Sequence, residues 1–296
     1  MKFLVSRLRT LLVLGRVSNL PTVWSNLLTG LFLAGANIFS GGLVPLFVGA
    51  SLLYIGGMYL NDFCDASFDA RYCPERPIPS KKISRWAVGT LAATWLIVGF
   101  ALLVPYGSFT IGIALLQVAL IVLYDFWHKN NPASPILMGI CRLLLYLLAG
   151  SVIEQVMSWH VALWGLASGL YVAGITYLAR GESRPGKPAR WALVFLLFPV
   201  VVAGWFALYY SIYLILLFCL LLPGWMAWLL IPLWRGTNRS IGRVVSGLLA
   251  GIILADATIL APVLVAPINF GIPVWGLTYL ALFLAALLLQ RIIPAT

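Results

Sequence analysis

Three of the eight acidic residues in this chain lie within eight positions, directly after a long apolar run. They are Asp62, Asp65 and Asp69, and Asn61 precedes the first of them. If the run continues as a helix, the three carboxylates lie within roughly 60° of one another on one face. Carboxylates so close repel one another strongly unless cations neutralise them. The spacing therefore indicates a cation-binding site, although a solvated loop with helix-capping aspartates would also carry such residues.

Basic side chains lie where they could complete such a site. Arg76 and Lys81 follow the aspartates, and Lys129 and Arg180 follow later apolar segments. Mg²⁺ is held in proteins by one or two carboxylates together with phosphate oxygens, and cationic side chains neutralise the remaining phosphate charge. The pattern predicts a magnesium-bound diphosphate at one end of a helical bundle, with an apolar tail running between the helices.

The composition is that of an integral membrane protein. The chain has 296 residues, of which 62% are hydrophobic and 9% are charged, and its mean hydropathy is +1.02. Soluble chains carry roughly 25% charged residues. The apolar segments suit helices of about 20 residues and lack the alternation of an outer-membrane barrel. We expect an all-α polytopic bundle of nine to ten transmembrane helices, forming a single integral membrane domain over 1–296.

The positions of the charges predict the topology. The expected spans are 18–38, 43–60, 86–104, 109–126, 135–153, 160–179, 191–209, 211–233, 244–264 and 273–292. Lys and Arg fall in alternate connections, except for Arg142 inside the fifth span. The positive-inside rule then places both termini and the aspartates on the cytoplasmic side of the plasma membrane of a prokaryote. With nine spans, Arg291 would lie on the opposite side.

Three further features of the sequence narrow the class of protein. The net charge of +11 follows from this topology, so we expect the lipid bilayer and no nucleic acid as a partner. The four cysteines lack metal-ligand spacing, and we expect neither a disulfide nor zinc. The N-terminal stretch 1–16 has no small-residue cleavage site, and we interpret it as a retained interfacial segment.

Two motifs in the sequence resemble those of a known family of membrane proteins. Asn61-Asp62-x-x-Asp65-x-x-x-Asp69 with Arg76-Pro77 resembles the first aspartate-rich motif of the UbiA-type membrane prenyltransferases. Tyr124-x-Phe126-x-His128-Lys129 is similar to the Tyr-x-Phe-x-Lys-Arg element of that family, with His128 in place of the Lys. The resemblance covers roughly 15–264 and implies transfer of a prenyl group from a prenyl diphosphate to an acceptor that the sequence does not identify, with Mg²⁺.

The resemblance also assigns roles to residues. Asp62, Asp65 and Asp69 would contact the metal, Asn61 would support them, and Arg76 and Lys129 would hold the diphosphate. The predicted catalytic residues are therefore Asp62, Asp65, Asp69, Lys129 and Glu182. The predicted substrate-binding residues are Asn61, Arg76, Lys81, Tyr124, Arg142, Tyr177 and Arg180.

The third polar region departs from the family pattern. Members commonly carry a second aspartate-rich motif after the sixth span, where this chain has Tyr177-Leu178-Ala179-Arg180-Gly181-Glu182. Only Glu182 is acidic, so a second metal is in doubt; Arg180 could replace a cation, and Glu182 could pair with it or take a proton. The span at 273–292 is surplus to the usual nine. These departures suggest a divergent branch, such as the one that includes the EboC-like proteins.

Two charged residues lie within predicted spans. Arg142 either reaches the nearby interface with its long side chain or faces the site. Asp256 lies near the middle of the ninth span, where a charge is costly, and we favour a structural, hydrogen-bonded role over a cavity-facing one.

Other functions fit the sequence less well than prenyl transfer. The lipid alcohol phosphotransferases require Asp-x-x-Asp-Gly, and here Ala66 follows Asp65. A membrane transporter would place its site near the midplane, whereas these charges cluster at one face. A catalytically altered protein that binds a prenyl lipid is a further alternative, because the second motif is degraded.

Overall fold

The computed structural model describes residues 2–36, 38, 42–128, 131–153, 157–180, 191–234, 241–265 and 273–294. Within these ranges the chain is helical and contains no strand. Short 3₁₀ helices lie at Val17–Asn19 and Val104–Tyr106. The α-helices are α1 (Lys2–Leu14), α2 (Leu20–Leu33), α3 (Val44–Tyr72), α4 (Arg85–Ala101), α5 (Ser108–Trp127), α6 (Ser134–Ser151), α7 (Trp159–Arg180), α8 (Ala192–Leu196), α9 (Phe198–Tyr209), α10 (Leu214–Phe218), α11 (Leu221–Trp234), α12 (Ile241–Ile259), α13 (Ala261–Val265) and α14 (Val274–Ile292).

Nine helical segments of the described chain are long and apolar enough to cross a membrane. They are α3, α4 with the following 3₁₀ turn, α5, α6, α7, α8 with α9, α10 with α11 as far as Pro232, α12 and α14. The first predicted span corresponds to α2, which has only 14 residues. The expectation of an all-α polytopic protein with nine to ten helices is confirmed.

Helix α3 is the element that carries the aspartates. It runs without interruption for 29 residues, so the apolar run and the three aspartates belong to one helix. Its helical pattern ends with the Cys73 amide donating to the Asp69 carbonyl at 2.8 Å. The connection that follows contains three prolines, Pro74, Pro77 and Pro79, which disfavour a continued helix. This turn brings Arg76 back beside the end of α3.

The short helix α2 lies in the interior of the bundle. It packs against α3, α6, α12 and α14, and ten of its 14 residues are buried. Four of the buried residues are polar, namely Thr22, Ser25, Asn26 and Thr29. Their spacing of three and four places them on one face of the helix, so α2 presents a polar stripe to its neighbours.

Helices α6 and α7 approach each other closely at two glycines. A Cβ atom added at Gly139 would lie 2.5 Å from the carbonyl oxygen of Gly169, and one added at Gly169 would lie 2.6 Å from that of Gly139. Small residues permit such close backbone contact between membrane helices. The contact fixes α6 and α7 against each other one turn from Arg142.

Candidate functional site

The three aspartates of α3 lie on one buried face. Asp62, Asp65 and Asp69 are 7%, 8% and 3% exposed. Buried carboxylates are costly unless cations or hydrogen bonds compensate them. Each of the three is faced by a basic side chain, and these basic side chains come from three different parts of the chain.

Arg76 bridges the first and last aspartates. Its Nη1 lies 2.9 Å from Asp69 Oδ2 and 3.9 Å from Asp62 Oδ1. Burial acts to lower the pKa of the Arg76 guanidinium, but the charges of Asp69 and Asp62 outweigh it and raise that pKa. Arg76 therefore stays charged and spans the ends of the aspartate cluster.

Arg16 supplies a second cation, from the connection between α1 and α2. Its Nη2 lies 3.4 Å from Asp62 Oδ1, and its Nη1 lies 3.2 Å from the Met58 sulfur. The backbone of Arg16 has φ of +41°, in the left-handed region, which is uncommon outside glycine. Arg16 is not among the predicted site residues. No local signal reveals a pairing across 46 positions.

His128 faces the middle aspartate. Its Nε2 lies 3.5 Å from Asp65 Oδ2, and its ring stacks on Tyr124 with a centroid separation of 4.9 Å. Burial acts to lower the pKa of the imidazole, but the hydrogen bond and charge of Asp65, with the charge of Asp125, raise it above its ordinary value. In the sequence His128 departs from the family motif, and no role was predicted for it.

A fourth carboxylate joins this group. Asn61 donates a hydrogen bond from Nδ2 to Asp125 Oδ1 at 3.0 Å, and Asp125 is buried. Asp125 is not among the predicted site residues. The structure joins α3 and α5 through Asn61 and Asp125.

The remaining predicted residues lie in several places. Arg180 donates to the carbonyl oxygens of His128, Asn131 and Pro132 and to the Ser134 hydroxyl, so it holds the connection between α5 and α6. Lys81 is exposed, in a turn where its φ is +60°. Tyr177 packs edge-on against Trp191, with ring centroids 4.6 Å apart. The predicted residues Lys129 and Glu182 lie outside the described residues.

A second polar cluster surrounds Asp256 in the interior. Ser25 and Asn26 donate to its Oδ2, each at 2.8 Å. Tyr146 and Trp164 donate to its Oδ1, at 2.7 and 3.0 Å. Asp256 has no exposed surface, and the donors come from α2, α6 and α7. The hydrogen-bonded, structural role that the sequence favoured for Asp256 matches this geometry.

Arg142 lies one turn before Tyr146 on α6. It is 8% exposed, and its Nη2 donates to Thr22 Oγ1 at 2.6 Å. The side chain is thus buried against α2 rather than extended to an interface.

The chemistry of the aspartate group suits Mg²⁺, which prefers oxygen ligands. Among the described residues, no group of three or more His, Cys, Asp or Glu side chains is arranged to hold an ion by itself. An ion at this site would therefore need oxygens from another molecule, as Mg²⁺ typically takes them from phosphates. The residues fit a metal that is shared with a phosphate-bearing ligand.

Two enzymes are among the known proteins with similar sequences. Digeranylgeranylglyceryl phosphate synthase of Methanopyrus kandleri is 30% identical over 125 residues, which are 42% of this chain and 46% of that protein. 4-Hydroxybenzoate octaprenyltransferase of Aeromonas salmonicida is 30% identical over 127 residues, or 40% of each chain. The chain thus matches less than half the length of these curated relatives.

A solved structure shares the fold. The apo structure of a UbiA homologue from Aeropyrum pernix K1 superposes with a TM-score of 0.64 at 16% identity, over 84% of this chain and 98% of that one. The model of the UbiA prenyltransferase family matches residues 21–240, which include α2, the aspartates of α3 and the segment around His128. Since that match extends over well more than half of its length, this chain belongs to the UbiA prenyltransferase family.

Proposed function

We propose that this protein transfers a prenyl group from a prenyl diphosphate to a small acceptor at the aspartate site of α3. The observation that carries the proposal is the group of three buried carboxylates on one helix face, each faced by a cationic or titratable basic side chain. Such a face can exchange its internal ion pairs for a metal and a diphosphate without leaving a charge uncompensated.

Asp62, Asp65 and Asp69 would hold Mg²⁺ together with diphosphate oxygens. When bound, the ion neutralises charge that develops on the departing diphosphate. Arg76 and Arg16 would turn from the carboxylates towards the phosphate oxygens, because guanidinium groups bind phosphate through paired hydrogen bonds. Lys129 and Arg180 remain candidates for the same role, and Glu182 for taking a proton from the acceptor.

The reaction follows from this placement. The bond between C1 of the prenyl chain and the diphosphate oxygen breaks, and its electron pair leaves with the diphosphate. The acceptor forms a bond to C1 and loses a proton. The Arg16 and Arg76 guanidinium groups would stabilise the negative charge of the leaving group, and the burial of the site strengthens this electrostatic effect. We place the site on the cytoplasmic side, following the positive-inside rule.

The test is release of pyrophosphate from radiolabelled farnesyl and geranylgeranyl diphosphates, with and without Mg²⁺, in membranes supplied with a lipid extract as acceptor source. We expect metal-dependent release that Asp65→Asn reduces at least about 1,000-fold, which corresponds to roughly 4 kcal/mol of lost transition-state stabilisation. Glu75→Gln is the matched control, because Glu75 is an exposed carboxylate on the following connection. Full activity in Asp65→Asn would contradict the assignment.

A further inference from the structure

Arg142 is a buried cation that the proposed diphosphate site does not use. Among the described residues, its single hydrogen bond runs to Thr22, its Nε has no acceptor, and no carboxylate lies within 4.0 Å of it. A guanidinium carries five N–H donors in a fixed fork. A charge buried in a membrane helix without a partner is costly and commonly marks a functional site.

The surroundings of Arg142 do not supply a counter-ion in contact. Asp256 is the carboxylate of the interior cluster, but its two oxygens already accept four hydrogen bonds from neutral donors. The hydroxyls of Tyr54 and Tyr146 also interact electrostatically with Arg142, and a tyrosine hydroxyl carries no charge at neutral pH. Among the described residues, no negatively charged group contacts the Arg142 guanidinium, so an anion at close range would stabilise it.

A chain of contacts links Arg142 to the aspartate site. Thr22 donates to the carbonyl oxygen of Asn19 at 2.7 Å, and the Asn19 amide donates to the carbonyl oxygen of Arg16 at 3.0 Å. Thr22 follows Arg16 by six positions, which correspond to roughly 10 Å along helical backbone. Arg142 thus lies deeper in the bundle than the cation that pairs with Asp62, at a distance that a small molecule could span.

We propose that Arg142 binds the anionic group, a carboxylate or a phosphate, of the prenyl acceptor. Both groups match the guanidinium fork. With the anion at Arg142, the nucleophilic atom of a short acceptor would point towards C1 of a prenyl diphosphate held at the aspartates. The identification of the bound molecule as the prenyl acceptor rests on the proposed function. The binding of an anion by Arg142 can be measured without any turnover.

The test measures binding of two anions and their neutral counterparts to purified protein in detergent by scintillation proximity. The pairs are 4-hydroxybenzoate with its methyl ester, and geranylgeranylglyceryl phosphate with geranylgeranylglycerol. In the unaltered chain, at least one anion is expected to bind tenfold or more tightly than its neutral counterpart. Arg142→Gln should reduce that preference to less than threefold, Arg142→Lys should retain part of it, and Arg291→Gln, at an exposed arginine of α14, should leave it unchanged.

The outcomes separate the inference from the proposed function. Equal binding of anion and neutral counterpart in both pairs, or an undiminished preference in Arg142→Gln, would overturn the inference. If Arg142→Gln does not fold, the comparison in the unaltered chain and in Arg142→Lys still decides it. Asp65→Asn should retain the anion preference while losing pyrophosphate release. Anion binding without Mg²⁺-dependent release in the unaltered chain would reject the function and leave the anion site standing.

Discussion

The chain buries carboxylates in two regions and compensates them differently. At the end of α3, Asp62 and Asp69 are held by arginines, and Asp65 faces a histidine. In the interior, Asp256 accepts four hydrogen bonds from uncharged side chains. The first region contains opposed charges that can exchange partners. The second has no charged partner within 4.0 Å among the described residues, and it joins helices α2, α6, α7 and α12.

This difference indicates that the first region binds ligands and that the second region stabilises the fold. Ion pairs can be replaced by a metal and a phosphate, because the total charge stays balanced. A carboxylate whose oxygens are saturated by hydroxyl, amide and indole donors gains nothing from a ligand. We therefore expect substitutions in the first region to affect binding and turnover, and substitutions in the second to affect stability.

The largest expected effect on stability comes from Asp256→Ala. The substitution removes the acceptor of four buried hydrogen bonds; membrane hydrogen bonds average about 0.6 kcal/mol each, with larger costs for buried groups left unsatisfied. We expect a loss of about 2–4 kcal/mol in unfolding free energy, measured by thermal or denaturant unfolding in detergent micelles. Thr278→Ala removes an exposed hydroxyl that donates to its own helix and should change little.

Asp256→Asn sharpens this prediction, because it retains one acceptor oxygen and nearly the same shape. The unfolding free energy of Asp256→Asn should lie between that of the unaltered chain and that of Asp256→Ala. If Asp256→Ala were as stable as the unaltered chain but lost prenyl diphosphate binding, the division between the two regions would be wrong.

The next effect is on binding of the donor substrate. Arg76→Gln removes the cation that bridges Asp62 and Asp69, and charge-assisted hydrogen bonds contribute about 1.5–3 kcal/mol. We expect the Kd for farnesyl diphosphate to rise about 10- to 100-fold, with a smaller rise for Arg76→Lys. Direct binding in the presence of Mg²⁺ measures both.

Arg85→Gln is the control for charge alone. Arg85 donates to the Phe63 carbonyl oxygen at 2.9 Å, and its guanidinium lies over the Phe63 ring. The Arg85→Gln substitution removes the same charge from the start of α4, at a residue that forms no ion pair with a carboxylate among the described residues. An equal loss of donor binding in Arg85→Gln and Arg76→Gln would show that only net charge matters.

The smallest effect is a dependence of stability on pH. Because Asp65 and Asp125 raise the pKa of His128 in the folded state, the protonated form stabilises the fold. That contribution is fully present below the unfolded pKa of about 6.5 and is lost as pH rises through the folded value. The melting temperature of the unaltered chain should therefore fall more between pH 6 and pH 8 than that of His128→Gln. Parallel curves of melting temperature against pH for the two proteins would show that the charge of His128 does not stabilise the fold.

The sequence predicted the first region better than the second. Asp62, Asp65 and Asp69 share a helix, so their spacing alone placed them on one face. Their partner Arg16 is 46 positions away, and no local rule connects the two. The polar stripe of Thr22, Ser25, Asn26 and Thr29 was not among the predictions, although its three- and four-residue spacing within an apolar segment can be read from the sequence. Pairing that stripe with Asp256 requires knowledge of which helices meet.

The hydrogen bond between Asn26 and Asp256 joins residues 230 positions apart, and this separation has a consequence for synthesis. During translation, α2 leaves the ribosome long before α12 and α14 exist. Its Ser25, Asn26 and Thr29 side chains find their partners Asp256 and Tyr279 only when nearly the whole chain has been made. Polar groups facing lipid without partners are costly. We therefore expect α2 to remain beside the insertion machinery until the last helices arrive, so that the bundle closes around its first membrane-buried helix at the end of its biogenesis.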